Sequence, residues 1–328
     1  MKKFIDKPAT LLDTSLQGFA KAHADIVELH TQPNFVCRKH RKKGKVALIS
    51  GGGSGHEPLH AGFVGHGMLD AACPGQIFTS PTPDQMLAAA EAVDGGAGVL
   101  FIVKNYAGDV MNFEMAAEML EGPNASVLVN DDVSLPKDHP IGRRGVAGTA
   151  IVEKIVGAAA EQGYDLAACK SLGDRVVGAT ASMGIALTSC TVPALGRPTF
   201  EIAEDEIEIG VGIHGERGRE TGKLVTASEM VEQIAGHIQE ELNPGAGRAV
   251  LLHVNGFGAT PLVELHLVYE LAWQYWQKRG LNIQRALVGS FTTSLDMAGC
   301  SLTLTLLDEE MLRLWDAPVN TAALRWGC

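Results

Sequence analysis

Val46-Ala47-Leu48-Ile49-Ser50-Gly51-Gly52-Gly53-Ser54-Gly55-His56-Glu57-Pro58 decides the fold class of this chain. Its opening apolar run has no polar alternation, the pattern of a strand covered on both faces, and it passes straight into glycine. The same event recurs downstream. Val99-Leu100-Phe101-Ile102-Val103 runs into Lys104-Asn105-Tyr106, and Ser126-Val127-Leu128-Val129 into Asn130-Asp131-Asp132. Between such runs lie alanine-rich helical patterns over 83–93 and 146–160, the second closing near Gly163. Strands alternating with helices predict an α/β fold.

The second half repeats the style. Residues 182–188, 207–213, 249–254, 286–290 and 301–306 read as strands. Met230, Val231, Ile234, Ile238 and Leu242 place an amphipathic helix over 227–242, broken by Asn243-Pro244-Gly245-Ala246-Gly247. A further helix is expected over 261–277, with Thr260-Pro261 capping and beginning it. The expectation is two α/β domains with mainly parallel or mixed sheets covered by helices, residues 1–180 and 181–328.

Composition narrows the function. Hydrophobic residues make up 46% of the 328 and charged ones 20%, enough apolar material for a real core. The formal charge of −11 argues against nucleic acid and anionic membranes as partners. Arg38-Lys39-His40-Arg41-Lys42-Lys43 is the local exception, either a solvated loop before a strand or a docking patch for an acidic partner. The six cysteines are scattered without a CxxC pair, so neither a zinc site nor a disulfide framework is expected. No signal peptide opens the chain and no stretch of about eighteen apolar residues occurs, so a cytoplasmic protein is the expectation.

Chemistry is expected where strands end. Gly51 to Pro58 is neither a Walker loop nor a dinucleotide fingerprint. Its glycines would let the strand turn sharply and present N–H groups to an oxygen-rich ligand, with His56 at the turn. Lys104-Asn105-Tyr106-Ala107-Gly108-Asp109 supplies a donor and a base, or a surface ion pair with a capping aspartate. In Gly210-Val211-Gly212-Ile213-His214-Gly215-Glu216, glycine-bounded backbone leaves His214 free to enter a cleft; an ordinary loop histidine would look the same. The other nine histidines read as structural or surface residues. Asn255-Gly256-Phe257-Gly258-Ala259-Thr260-Pro261 reads as structural, as part of an interface, or as a segment touching ligand. Together these segments describe an α/β enzyme acting on a small polar ligand.

The segments 51–58, 104–109 and 212–216, with Phe78-Thr79-Ser80-Pro81-Thr82, Cys190-Thr191-Val192-Pro193 and Gly258-Ala259-Thr260-Pro261, resemble the dihydroxyacetone kinase K-domain family in order and spacing. The similarity runs from about residue 8 to Trp326. It implies two α/β domains, a homodimer, and a short-chain ketone held as a hemiaminal on His214. It further implies that Gly53, Ser54, Gly55 and Lys104 bind the triose, that Asp109 accepts the proton of the hydroxyl being phosphorylated, and that His56 is acid/base or charge stabiliser. The ATP-dependent members carry a nucleotide-binding domain behind this one, and here the chain stops at Cys328. The resemblance therefore implies a separate subunit bearing ADP and Mg²⁺, recharged from phosphoenolpyruvate through a phosphotransferase phosphocarrier, with no nucleotide or metal on this chain. An erythrulose-type kinase subunit and a non-catalytic ketone-binding co-activator are the alternatives.

Overall fold

The structure is a computed structural model describing residues 2–140 and 142–328. Its chain divides into two compact units. The first comprises Lys2–Val129, Thr149–Val176 and Met311–Cys328; the second comprises Asn130–Gly148 and Val177–Glu310.

The first unit is built on a six-stranded sheet of β1 (Val27–His30), β2 (Phe35–Arg38), β3 (Ala47–Ser54), β5 (Ala71–Ile77), β6 (Val99–Lys104) and β7 (Asn124–Val129), in the order β1-β2-β5-β3-β6-β7. The four strands from β5 to β7 run parallel, and the β1/β2 hairpin adds to them antiparallel. Crossover helices make parallel pairing possible: α2 (Pro83–Val93) joins β5 to β6, and α3 (Ala107–Met119) joins β6 to β7. Pro83 opens α2 behind Thr82, whose N–H is taken by the Gln85 side chain at 3.0 Å. Phe35, Ile49, Ala71, Met86, Ala90, Phe101 and Phe113 fill one core beneath these helices. α1 (Leu11–Ala22), α4 (Gly148–Glu161), α5 (Leu166–Gly178) and α8 (Glu309–Asp316) complete the helices met by this unit. A small sheet joins β4 (Gly65–His66) to β14 (Val319–Thr321) and β15 (Arg325–Trp326).

The second unit carries the six-stranded sheet β10-β9-β8-β13-β11-β12, made of β8 (Thr180–Ala186), β9 (Glu206–Ile209), β10 (Glu220–Lys223), β11 (Ala249–Gly256), β12 (Asn282–Gly289) and β13 (Gly299–Leu306). Only β11/β12 is parallel; the remaining ladders are antiparallel. α6 (Ala227–Leu242) and α7 (Leu262–Gln277) cover it, with Ile185, Ile209, Ile234, Ile238, Leu252, Leu265 and Trp276 between the layers. A Thr226/Glu229 capping box starts α6, and Asn243 in left-handed geometry (φ 40°) ends it.

Mixed α/β architecture is as expected, and several local readings change. The sequence reading cut the chain once, at 180. In the structure the chain returns twice across the units, because Asp131 and Asp132 bond into the β8 region while β14 pairs with β4. The strand expected over 207–213 stops at Ile209, since Gly210 takes a left-handed φ of 73°. Thr260 does not cap α7: its hydroxyl donates to the Gly299 carbonyl at 2.7 Å and accepts the Gly299 N–H at 2.8 Å. Arg38 is not in a solvated loop; it is buried in β2 and paired with Asp70 and Glu161. Among the described residues no helix is long and apolar enough to cross a membrane.

Candidate functional site

The glycine run does not turn. Gly51, Gly52 and Gly53 remain in β3, which continues to Ser54. What the run provides is room. A Cβ on Gly51 would lie 2.6 Å from the Cys73 carbonyl oxygen, and one on Gly53 would lie 2.6–2.8 Å from the backbone of Phe78 and Thr79. A Cβ on Gly52 would stand 2.2 Å from Lys104 Nζ. β3 is glycine here because the 78–79 segment and the Lys104 ammonium press against it.

Lys104 ends β6 and is fully buried. A buried ammonium is tolerable only when its N–H groups are all taken. Nζ donates to the Gly51 carbonyl at 3.0 Å, contacts His60 Nε2 at 2.8 Å and lies 3.4 Å from Asp109 Oδ2. Asp109 stands in the first turn of α3, where the helix dipole favours a negative charge. It is not a cap; its side chain is buried, and Oδ1 has no hydrogen-bond partner within the protein. A buried carboxylate with an unused oxygen, held beside a fixed ammonium, can accept a proton from a hydroxyl.

The remaining expected residues of this unit gather nearby. Ser54 Oγ donates to the Gly75 carbonyl at 2.7 Å, and the Gly55 N–H goes to the Glu57 carboxylate at 3.0–3.1 Å. The Gly55 N–H and the Ser54 hydroxyl are thus both spent inside the protein. His56 is fully buried and stacked on Phe78, ring centroids 5.2 Å apart. Gly52, Gly53, Ser54, Leu59 and His60 also line a cavity of about 370 Å³ with Leu12, Leu16 and Phe19 of α1.

His214 belongs to the second unit and is half-buried. Its backbone N–H donates to Glu216 Oε2 at 2.8 Å, and Glu216 Oε1 accepts from Arg144 at 2.8 Å. The same guanidinium donates to Asp132 at 2.7 Å, to Ser134 Oγ at 2.9 Å and to the Gly210 carbonyl at 2.8 Å. Burial pushes the Asp132 carboxyl upward, against the pull of Arg144 and Ser134. Gly212 leaves space for Glu216, whose Oε1 would lie 1.7 Å from a Cβ there. Gly215 (φ 70°) faces Cys190 Sγ and Thr199, so the Cys190-Thr191-Val192-Pro193 motif braces this loop.

Sequence reasoning passed over His60, Glu153, Arg144, Asp132 and Glu216. His60 had a signal in following His56 by one helical turn's spacing, and Glu153-Lys154 interrupts an otherwise apolar helix in which every residue from 148 to 160 is buried. Among the described residues one grouping could hold a metal ion, Glu28, His30 and Cys37 on the β1/β2 hairpin. There Arg41 already donates to Glu28 at 3.0 Å and to Cys37 at 3.4 Å, so a guanidinium occupies the cation's position.

The profile of the Dak1 domain matches residues 17–323. The "PEP-dependent dihydroxyacetone kinase, dihydroxyacetone-binding subunit DhaK" of Escherichia coli (strain K12) is 47% identical, with 100% of both chains covered. Two solved structures superpose closely. One, "Dihydroxyacetone kinase operon co-activator Dha-DhaQ", has a TM-score of 0.90 at 31% identity, covering 94% of this chain and 97% of its own. The other is the dihydroxyacetone kinase of C. freundii, with a TM-score of 0.88 at 35% identity over 98% of this chain and 60% of its own.

Proposed function

The chain belongs to the Dak1 domain family, and on that premise we propose that it is the dihydroxyacetone-binding subunit of a kinase that makes dihydroxyacetone phosphate. The phosphoryl group comes from a separate subunit that carries ADP and Mg²⁺ and is recharged by a phosphotransferase phosphocarrier. This chain works as a homodimer in the cytoplasm, a reducing compartment that suits its unpaired cysteines.

One observation carries the reading: the buried Lys104–Asp109 pair, with Asp109 Oδ1 left without a protein partner. Asp109 takes the proton of the hydroxyl that attacks the phosphoryl group. Lys104 offers an N–H to the ketone's oxygen by exchanging its longest contact, the 3.4 Å approach to Asp109. Gly53, Ser54 and Gly55 shape the wall for a small triose, and His56 stabilises charge as the proton moves. Since phosphoryl transfer asks a protein mainly for positioning and charge stabilisation, these parts suffice on the acceptor side.

His214 supplies selectivity. The lone pair of a ring nitrogen forms a bond to the carbonyl carbon, the C=O π pair moves to oxygen, and that oxygen takes up the ring's proton. Glycerol has no carbonyl and cannot make the adduct.

Intact-protein mass spectrometry after incubation with dihydroxyacetone tests the hold: wild type gains one substrate mass, and His214→Ala gains none. Turnover with the ADP-bearing subunit and its phosphocarrier tests the kinase. Ketone binding without turnover would replace this reading with that of a ligand-sensing co-activator, the description given to the superposing structure above.

A further inference from the structure

Behind Lys104 lies a second layer of buried polar groups that the phosphoryl-transfer reading does not use. His60 is 6% exposed and Glu153 is fully buried. His60 Nδ1 lies 2.6 Å from Glu153 Oε1, and His60 Nε2 lies 2.8 Å from Lys104 Nζ. An ammonium can only donate, so Nε2 must be the acceptor and carry no proton. The ring proton then sits on Nδ1 and is given to Glu153. The imidazole is thus held neutral in one tautomer, read from heavy-atom geometry alone. Burial, Lys104 and His56 all disfavour a charged His60, and its pKa lies well below the usual histidine value. Burial raises the Glu153 carboxyl to about 8.

We propose that His60 and Glu153 are positioning residues for the kinase reaction: Glu153 fixes the tautomer of His60, and His60 holds one N–H of Lys104 so that the ammonium stays aimed at Asp109 and at the ketone oxygen. Three acceptors surround Nζ, matching its three N–H groups. Gly51 O and His60 Nε2 are the two short ones and fix the direction of the third. Without His60 the ammonium keeps only the Gly51 carbonyl and the Asp109 carboxylate. It then swings fully onto Asp109, which weakens its grip on the substrate and occupies the base. Lys104 itself touches substrate in the proposed function, on which this inference rests; His60 and Glu153 act through it.

The first test needs no substrate. Long-range ¹H–¹⁵N spectra of the imidazoles, with the His60 signals assigned by their loss in His60→Gln, show the Nδ1–H tautomer at neutral pH. An Nε2–H tautomer or an imidazolium would overturn the inference. The second test measures dihydroxyacetone binding by calorimetry for wild type, His60→Leu and His60→Gln. The leucine removes the acceptor, and affinity falls about tenfold, the worth of one hydrogen bond to a charged group. The glutamine places its amide oxygen near the Nε2 position and restores affinity to within about threefold of wild type. Leucine and glutamine variants of equal affinity would reduce His60 to a packing residue. A wild type that binds no dihydroxyacetone would refute the proposed function, while the tautomer would still decide the role of His60 toward Lys104.

Discussion

Two glycine-flanked histidines, one in each unit, are built by opposite means. Ahead of His56, Gly51, Gly52 and Gly53 lie in an extended strand and serve as absences, admitting the Cys73 carbonyl, the Lys104 ammonium and the 78–79 backbone, while Gly55, just past the strand end, takes a φ of 105°. Around His214 glycine serves for its dihedral angles as well, with φ 73° at Gly210 and 70° at Gly215, where the chain leaves β9 and turns. The supporting charges differ in the same sense. Lys104 is held at its side-chain tip, by the Gly51 carbonyl, His60 and Asp109, whereas the backbone N–H of His214 is held by Glu216, which Arg144 in turn braces. A glycine-rich string therefore does not say what its glycines are for; the groups that approach it do.

The comparison breaks most sharply at the base. Asp109→Asn keeps ketone binding and loses about 10²–10⁴-fold in turnover, the usual worth of a positioned proton acceptor, as read by coupled kinetics beside calorimetry. Turnover within tenfold of wild type would end the assignment. Next come the two glycine roles. Gly215→Ala meets both a left-handed φ and Cys190 Sγ at 2.6 Å, and should lose about 1–3 kcal/mol in urea unfolding. Gly52→Ala meets the end of a lysine side chain, so it should lose less stability yet bind the ketone about tenfold more weakly as the ammonium is displaced. If both variants lose only stability, the contrast between room and dihedral is empty. Glu216→Ala should slow adduct formation on His214 by about tenfold, while Glu216→Gln, which still accepts the His214 N–H, stays near wild type in time-resolved mass spectra.

The smallest effect concerns pH. The Glu153 carboxyl titrates at about 8 in the folded chain, above its ordinary value near 4.5. The unfolded chain therefore sheds this proton first, and wild-type stability drains away as pH rises from about 4.5 toward about 8. Glu153→Gln lacks the proton and escapes the loss. Its melting temperature should exceed that of wild type at pH 8 and converge with it toward pH 5. A constant difference across that range would show that Glu153 is ionised in the fold.

Much of this was legible in the sequence. The buried parallel strands read as unbroken apolar runs, the alanine-rich pattern marked α2 and the apolar spacing marked α6, while the Thr82/Gln85 and Thr226/Glu229 capping boxes came to light only in the structure. The Lys104–Asp109 pair was visible because Lys104 ends a buried strand and Asp109 opens the helix that follows it. The hidden part is what depends on contacts far apart in sequence: Lys104 and His60 are 44 positions apart, and His60 and Glu153 are 93 apart. Single-sequence patterns carry no such information. The course of β3 through three glycines was misread for a related reason, since glycine in isolation signals a turn and only its neighbours explain an extended glycine.

The passage of the chain between units has a consequence for biosynthesis. Residues 311–328 supply β14, the partner of β4, and the Leu314 carbonyl that receives the buried Lys154 ammonium at 2.8 Å. During translation the first unit thus waits for residues 311–328, while the second unit already has its residues through 310. Domains usually mature from the N-terminus onward. Here the unit whose synthesis begins first lacks part of itself until residues beyond 310 are made, so a nascent chain stalled before residue 311 carries a first unit without β14 and without the carbonyl acceptor of Lys154.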